Sequence, residues 1–326
     1  MDVPPTPDDA SPAAVMLAAV APSGHAFRYA EVERAGRRHA LRRLGTCDFD
    51  FPVDEAILGS AGPSHLETVM EAFAEVLHDA PIRSLLLAVP PTALPGFFSP
   101  LPEALGASER YEQLRQEAAL LADARTTQPV RIRAVPVRTE TLDVEGHAVP
   151  YRWHHVLHVP EPVHARLTLL AKTLGAGTYD LVDSTQAAAA VVAALDEARP
   201  VTEPPPRGVT LVLGAYAHHV ELSVLREGQW LHGHHGASGL PEDAAYFAAA
   251  LLEHLGIAPA EVRRRCLYGE GEAGHGVDPD RYGLLAEPRG EEPALLDPLA
   301  VFDRPPPDAS PATLAAYVPC LGAVLR

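Results

Sequence analysis

Apolar positions along the chain fall into short extended runs broken by glycine turns, with longer stretches of helical spacing between them. Residues 15–21, 25–33 and 38–45 read as an antiparallel meander whose first turn is Pro22-Ser23-Gly24. Ser64 precedes Glu67 at capping-box spacing, and Val69, Met70, Phe73, Val76 and Leu77 mark one helix face. Residues 83–89 form an apolar strand stopped by Pro90-Pro91.

A second block follows. Residues 97–101 read as a short strand, and Ser108 as the cap of a helix through 122 with Tyr111, Leu114, Ala118 and Leu121 on one stripe. Residues 130–142 and 151–159 alternate as paired strands around a Glu145-Gly146 turn. Residues 161–174 are helical, ended by Gly175 and Gly177, and 179–182 is a strand. Asp183, Ser184 or Thr185 caps an alanine-rich helix to about 195.

Past the proline-rich stretch 203–207, residues 209–213, 220–225 and 229–235 repeat the meander, with a turn at Gly214–His219. A helix over 242–256 and a strand over 264–268 follow, and 313–325 reads as a closing helix that Pro319 kinks. Meander, helix and strand thus occur twice, at 15–89 and 209–268. This points to a duplicated α/β body with a cleft between its halves.

Composition narrows the classes. At 326 residues and 47% apolar content the chain can bury a large core in two domains or one bilobal unit. Net charge is −17 and Lys172 is the only lysine. Such a surface repels nucleic acid and anionic lipid. Cys47, Cys266 and Cys320 are odd in number and far apart, which fits a reducing compartment. The apolar run 13–21 resembles a signal core, but Asp2, Asp8 and Asp9 stand upstream with no Lys or Arg, so it reads as a buried first strand of a cytoplasmic protein. No apolar run reaches the ~18 residues that span a bilayer.

Motifs for other chemistry fail on context. Residues 269–274 fit GxGxxG after a strand, but turn residues follow where a Rossmann helix must open. There is no P-loop and no GxSxG. His232 and His234 share a strand face and could pair with another histidine on zinc, yet no companion carboxylate spacing or HExxH supports a metal.

The order of elements, together with RYEQLRQEAALLADA (110–124), HHVLHVPEPVHARLTLLAKTLGAGTYDLVDSTQAAAAVVAAL (154–195) and ALLDPLAVF (294–302), resembles the PilM family of the actin-like ATPase superfamily. The resemblance covers about residues 15–326. It implies an actin-like α/β fold: two RNase H-like halves with an inserted 1C-type subdomain. The expected division is a disordered leader at 1–12, a first half at 13–92 closed by 308–326, an insertion at 93–176 and a second half at 177–307.

In that superfamily two turns hold nucleotide phosphate, each with an aspartate and glycines. Here the first aspartate position matches Pro22, followed by Ser23 and Gly24. The second turn has Gly214 in the aspartate place and Tyr216 in the glycine place, with His218 close behind. Gly269 and Gly271 survive from the adenosine turn, but Glu270 and Glu272 stand among them. The resemblance therefore implies a degenerate nucleotide cleft. No catalytic residue, metal or cofactor is expected, with ATP and magnesium as the family alternative.

The family role is a cytoplasmic scaffold of a type IV pilus or related secretion machine, docking the cytoplasmic tail of an inner-membrane PilN-like partner. The chain would then be peripheral to the membrane through that partner and able to form homo-oligomers. Tyr111, Leu114, Val156 and Leu157 are the candidate partner groove. The alternative is an active ATPase driving assembly.

Overall fold

The computed structural model describes residues 14–59, 65–77, 81–121, 130–199, 208–270, 277–286, 293–303 and 314–326. The expected leader lies outside them. The chain starts with β1 (Val15–Ser23), β2 (Ala26–Ala35), β3 (Arg38–Asp48), α1 (Val53–Leu58), α2 (Leu66–Val76) and β4 (Ser84–Val89). Next come β5 (Gly96–Pro102), α3 (Ala107–Leu121), β6 (Val130–Val144), β7 (His147–Pro160), α4 (Glu161–Thr173), β8 (Thr178–Asp183) and α5 (Ser184–Glu197). The last part holds β9 (Val209–Ala215), β10 (Val220–Arg226), β11 (Gln229–Gly236), α6 (Pro241–His254), β12 (Val262–Gly269), β13 (Ala294–Leu295) and α7 (Val318–Leu325).

Two five-stranded sheets repeat one topology. The first runs β3-β2-β1-β4-β8 and the second β11-β10-β9-β12-β13. In each, an antiparallel meander is extended by parallel strands from its first strand. A smaller sheet, β5-β7-β6, belongs to the insertion.

The continuous apolar run of β1 reflects burial on both faces. Ala18 and Val20 face a core built with Phe73, Leu85, Leu167 and Ile57, whereas Leu17, Ala19 and Ala21 face Leu321, Val324 and Leu314. Helices α1, α2 and α4 therefore cover one side and α7 the other. The alanines of α5 have a similar origin. Ala188, Ala189 and Val192 pack on Val212 and Tyr268 of the second lobe, while Ala187 joins the first lobe's core. A methyl group at Gly322 of α7 would lie 1.9 Å from the Ala187 carbonyl oxygen, so α5 and α7 touch backbone to backbone.

Several expectations move. The expected second half, 177–307, gives up its first strand, because β8 pairs in parallel with β4 in the first sheet. Helix α4 falls in the expected insertion 93–176, but Val163, Leu167 and Leu170 belong to the core of the first sheet. The insertion proper is β5, α3, β6 and β7, with a satellite core around Leu101. Ser64 lies outside the described residues, and α2 starts after His65, whose φ is 68° and which provides no side-chain cap. Ser108 sits inside α3 rather than capping it, and Glu109 accepts the Gly106 amide. Pro319 does not kink a long helix: it stands in the first turn of α7, where its missing amide costs nothing. The short α1 and β13 are elements that the sequence pattern does not predict.

Candidate functional site: the cleft between the sheets

The β1–β2 turn and the β9–β10 turn meet across a small cavity. Pro22 and Ser23 line it from one side and Tyr216 and His219 from the other, with Arg28, Ser184, Glu221 and Pro319 completing the walls. Its volume is about 20 Å³. That is room for about one water molecule.

The turn residues take their places from packing. Pro22 is buried and Ser23 half-buried, while Gly24 stands exposed at the tip with φ of 55°. Tyr216 is buried and stacks on His219 with ring centroids 4.5 Å apart and planes 9° apart. His218, the predicted site residue, points out of the cleft: it is exposed and absent from the lining, and His219 takes that position. Gly214 pairs with Glu221 across the ladder, and a Cβ there would come within 2.5 Å of the Tyr268 ring. Gly269 has φ of 109°, and its Cβ would meet the Ala215 carbonyl oxygen at 2.2 Å. Both glycines thus answer to close protein contacts. Gly271 lies outside the described residues.

Reading the turns alone missed the groups that join the lobes. Glu221, on an otherwise apolar strand, accepts from Ser184 Oγ at 2.7 Å and from the Tyr268 hydroxyl at 2.6 Å. His219 Nε2 stands 3.6 Å from Glu221 Oε1, the oxygen that accepts from Ser184. Arg28 of β2 forms an ion pair with Glu270 just beyond β12. Burial works against the Arg28 charge, but Glu270 beside it prevails and its pKa is raised. Burial, reinforced by Glu221, holds both Tyr216 and Tyr268 well above the ordinary tyrosine range, so both are neutral hydroxyls. The signal in the sequence was a charged residue in each apolar strand: Arg28 in AFRYAEV and Glu221 in VELSVL.

Asp183 caps α5, as one of three expected candidates, accepting from the Thr185 amide at 2.8 Å and its hydroxyl at 2.5 Å. Burial raises its pKa, against the pull of His155, whose Nε2 lies 3.7 Å away. The carboxylates near the turns are therefore spent on hydroxyls, an arginine and a helix cap. Among the described residues no group of three histidine, cysteine or acidic side chains is placed to hold a metal.

The candidate groove is corrected in three of its four residues. Leu114 and Val156 are buried with Leu101 beneath the inserted sheet, and Leu157 sits in the core of the first sheet. A leucine stripe at helical spacing and an inward strand face answer first to the core. Tyr111 alone is exposed, at 51%.

No family model and no curated protein matches the sequence. Solved structures do. A chain of a PilM–PilN type IV pilus biogenesis complex superposes over 96% of this chain and 98% of its own length, with a TM-score of 0.68 and 18% identity. A protein with an actin-like ATPase fold and unknown function from Bacteroides thetaiotaomicron aligns over 79% of this chain and 83% of its own, with a TM-score of 0.46 and 11% identity. The cytoplasmic domain of EpsL, an inner-membrane component of the Vibrio cholerae type II secretion system, aligns over 73% and 75%, with a TM-score of 0.39 and 12% identity. With its duplicated sheets, its insertion between β4 and β8 and its end-to-end match to the chain of the pilus complex, the protein has the actin-like ATPase fold.

Proposed function

We propose that this chain is a scaffold of the PilM kind, docking the cytoplasmic tail of an inner-membrane PilN-like partner in a type IV pilus or related secretion machine, without hydrolysing ATP. The observation that carries the reading is the filled cleft. A nucleotide triphosphate needs space for its phosphates, amide donors and a carboxylate-held magnesium ion. At the equivalent place stand a proline, a stacked Tyr216–His219 pair and a residual volume of about 20 Å³. Glu221 adds a carboxylate to the cavity wall, and the charge of Arg28 is taken up by Glu270, so the lining does not favour a polyphosphate.

The scaffold role also agrees with the full-length match to a chain of the pilus complex. The tail's dock belongs on the outer surface of the insertion, where Tyr111, Leu120 and Leu121 of α3 leave apolar surface uncovered. A basic tail suits the chain's net charge of −17. No described helix is long and apolar enough to cross a membrane; in this reading the partner's tail ties the chain to the membrane.

Two measurements test this. Thermal melts with millimolar magnesium-ATP are expected to show no shift, and phosphate release no turnover. Magnesium-dependent turnover by the pure chain would establish the active ATPase instead. A peptide matching the partner's cytoplasmic tail is expected to bind the chain and to lose affinity to the Leu120→Glu, Leu121→Glu double variant. Failure of the peptide to bind would refute the docking role.

A further inference from the structure

A second and much larger cavity lies between the inserted sheet, β11 and α6. It encloses about 570 Å³, the size of a small-molecule site, and shares no lining residue with the cavity at the turns. Aromatic rings form one part of its wall: Phe97 and Phe98 of β5 and Trp153 of β7. Imidazoles form another: His232, His234 and His235 of β11 with His254 of α6.

We infer that this cavity binds a small organic anion, a phosphate, carboxylate or sulfonate carried on a flat apolar body. The charged groups facing it leave that opening. From β6, Arg138 is held by Glu140 at 2.9 Å and lies 4.3 Å over the Trp153 ring, and Glu140 also accepts from the Trp153 indole. From β7 and the end of β8, His155 and Asp183 face each other. Those charges are matched within the protein. The four remaining imidazoles have no acidic partner lining the cavity, in a chain whose surface is otherwise strongly acidic.

Burial, with His234, His254 and Arg138 nearby, pushes His232 down to about 4, and burial lowers His234 too. An anion seated between these rings supplies the missing counter-charge, so binding draws protons onto them and tightens as pH falls. The ring centroids of His232 and His254 are 6.4 Å apart and His234 stacks on His235. That spread does not gather three ligands about a metal ion, whereas it can surround an oxyanion. Phe98 and Trp153 supply the surface for the apolar body.

The inference stands apart from the scaffold reading, since it needs neither partner nor nucleotide. Benzenesulfonate is a suitable probe because its charge is fixed across the titration, with inorganic sulfate and benzyl alcohol as the ringless and uncharged controls. Binding is followed by the histidine Cε1–H resonances and by calorimetry. Benzenesulfonate is expected to bind about tenfold more tightly at pH 5.5 than at pH 7.5, and to raise the His232 titration midpoint. The His232→Gln, His254→Gln variant is expected to lose both effects, while His147→Gln, exposed at the tip of the β6–β7 hairpin and outside the lining, leaves them intact. His254 is exposed, so His254→Gln alone serves if the double variant does not fold. Absent or pH-independent binding of benzenesulfonate, equal affinity for benzyl alcohol, or zinc binding through these histidines in its place would each overturn the inference.

Discussion

Glu221 shows how one side chain can decide what a cleft does. It is 1% exposed and its carboxylate is held by two hydroxyls from different parts of the chain, Ser184 and Tyr268. Replacing it by alanine strands both hydroxyls in a closed interior, at a cost of about 1–3 kcal/mol each. Urea unfolding of Glu221→Ala is the check, and an unchanged midpoint would mean that the network contributes nothing. Gly214 is tied to the same spot. Gly214→Ala drives a methyl into the Tyr268 ring and is expected to destabilise by about 1–3 kcal/mol, with partial rescue by Tyr268→Leu. These roles were half legible in the sequence. A charged residue in a strand apolar on both faces announces an unusual site, and the family resemblance put Pro22 and Gly214 at positions where the superfamily carries aspartates. The partners could not, because the groups that satisfy Arg28 and Glu221 arrive from 242 and 47 residues away.

At the scale of elements, periodicity located most strands and helices, since each must bury one face. Ownership was harder to read. The helix α4 follows the inserted hairpin without a break, yet its apolar stripe of Val163, Leu167 and Leu170 completes the first sheet's core. No local pattern records which sheet a strand such as β8 will join. The same ambiguity affected the groove: the stripe on α3 was visible, but which of its residues faced inward was not. Leu114 faces inward. Leu114→Ala is expected to cost about 2–4 kcal/mol and, because its core is a small satellite with Leu101 and Val156, to act locally. Hydrogen exchange should then quicken in β5, β6 and β7 while β9, β10 and β12 keep their protection.

For the whole molecule, acid is the informative perturbation. Burial lowers the pKa of His39, His154, His155, His158, His232 and His234. The unfolded chain therefore binds more protons than the folded one between the ordinary imidazole value near 6.5 and the lower folded values, and stability falls as pH drops through that window. His232, whose folded value is about 4, contributes on the order of 1 kcal/mol per pH unit, reduced by its partial exposure. Melting temperatures at pH 7.5, 6.5 and 5.5 and constant ionic strength are expected to decline stepwise, and His232→Gln to flatten part of the slope. A flat profile in the parent chain would contradict the buried-neutral state of these rings.

The packing of α7 also bears on how the molecule is made. The face of the first sheet begun at Leu17 is covered by Ala187 of α5 and Phe302 and is completed by Leu314, Leu321 and Val324. During synthesis that surface stays incompletely covered until the last residues are made, whereas residues 209–296 contain all the strands of the second sheet. The later half of the body can thus mature ahead of the earlier one, and a nascent chain stalled before residue 314 would present the unsealed surface to whatever chaperone meets it first.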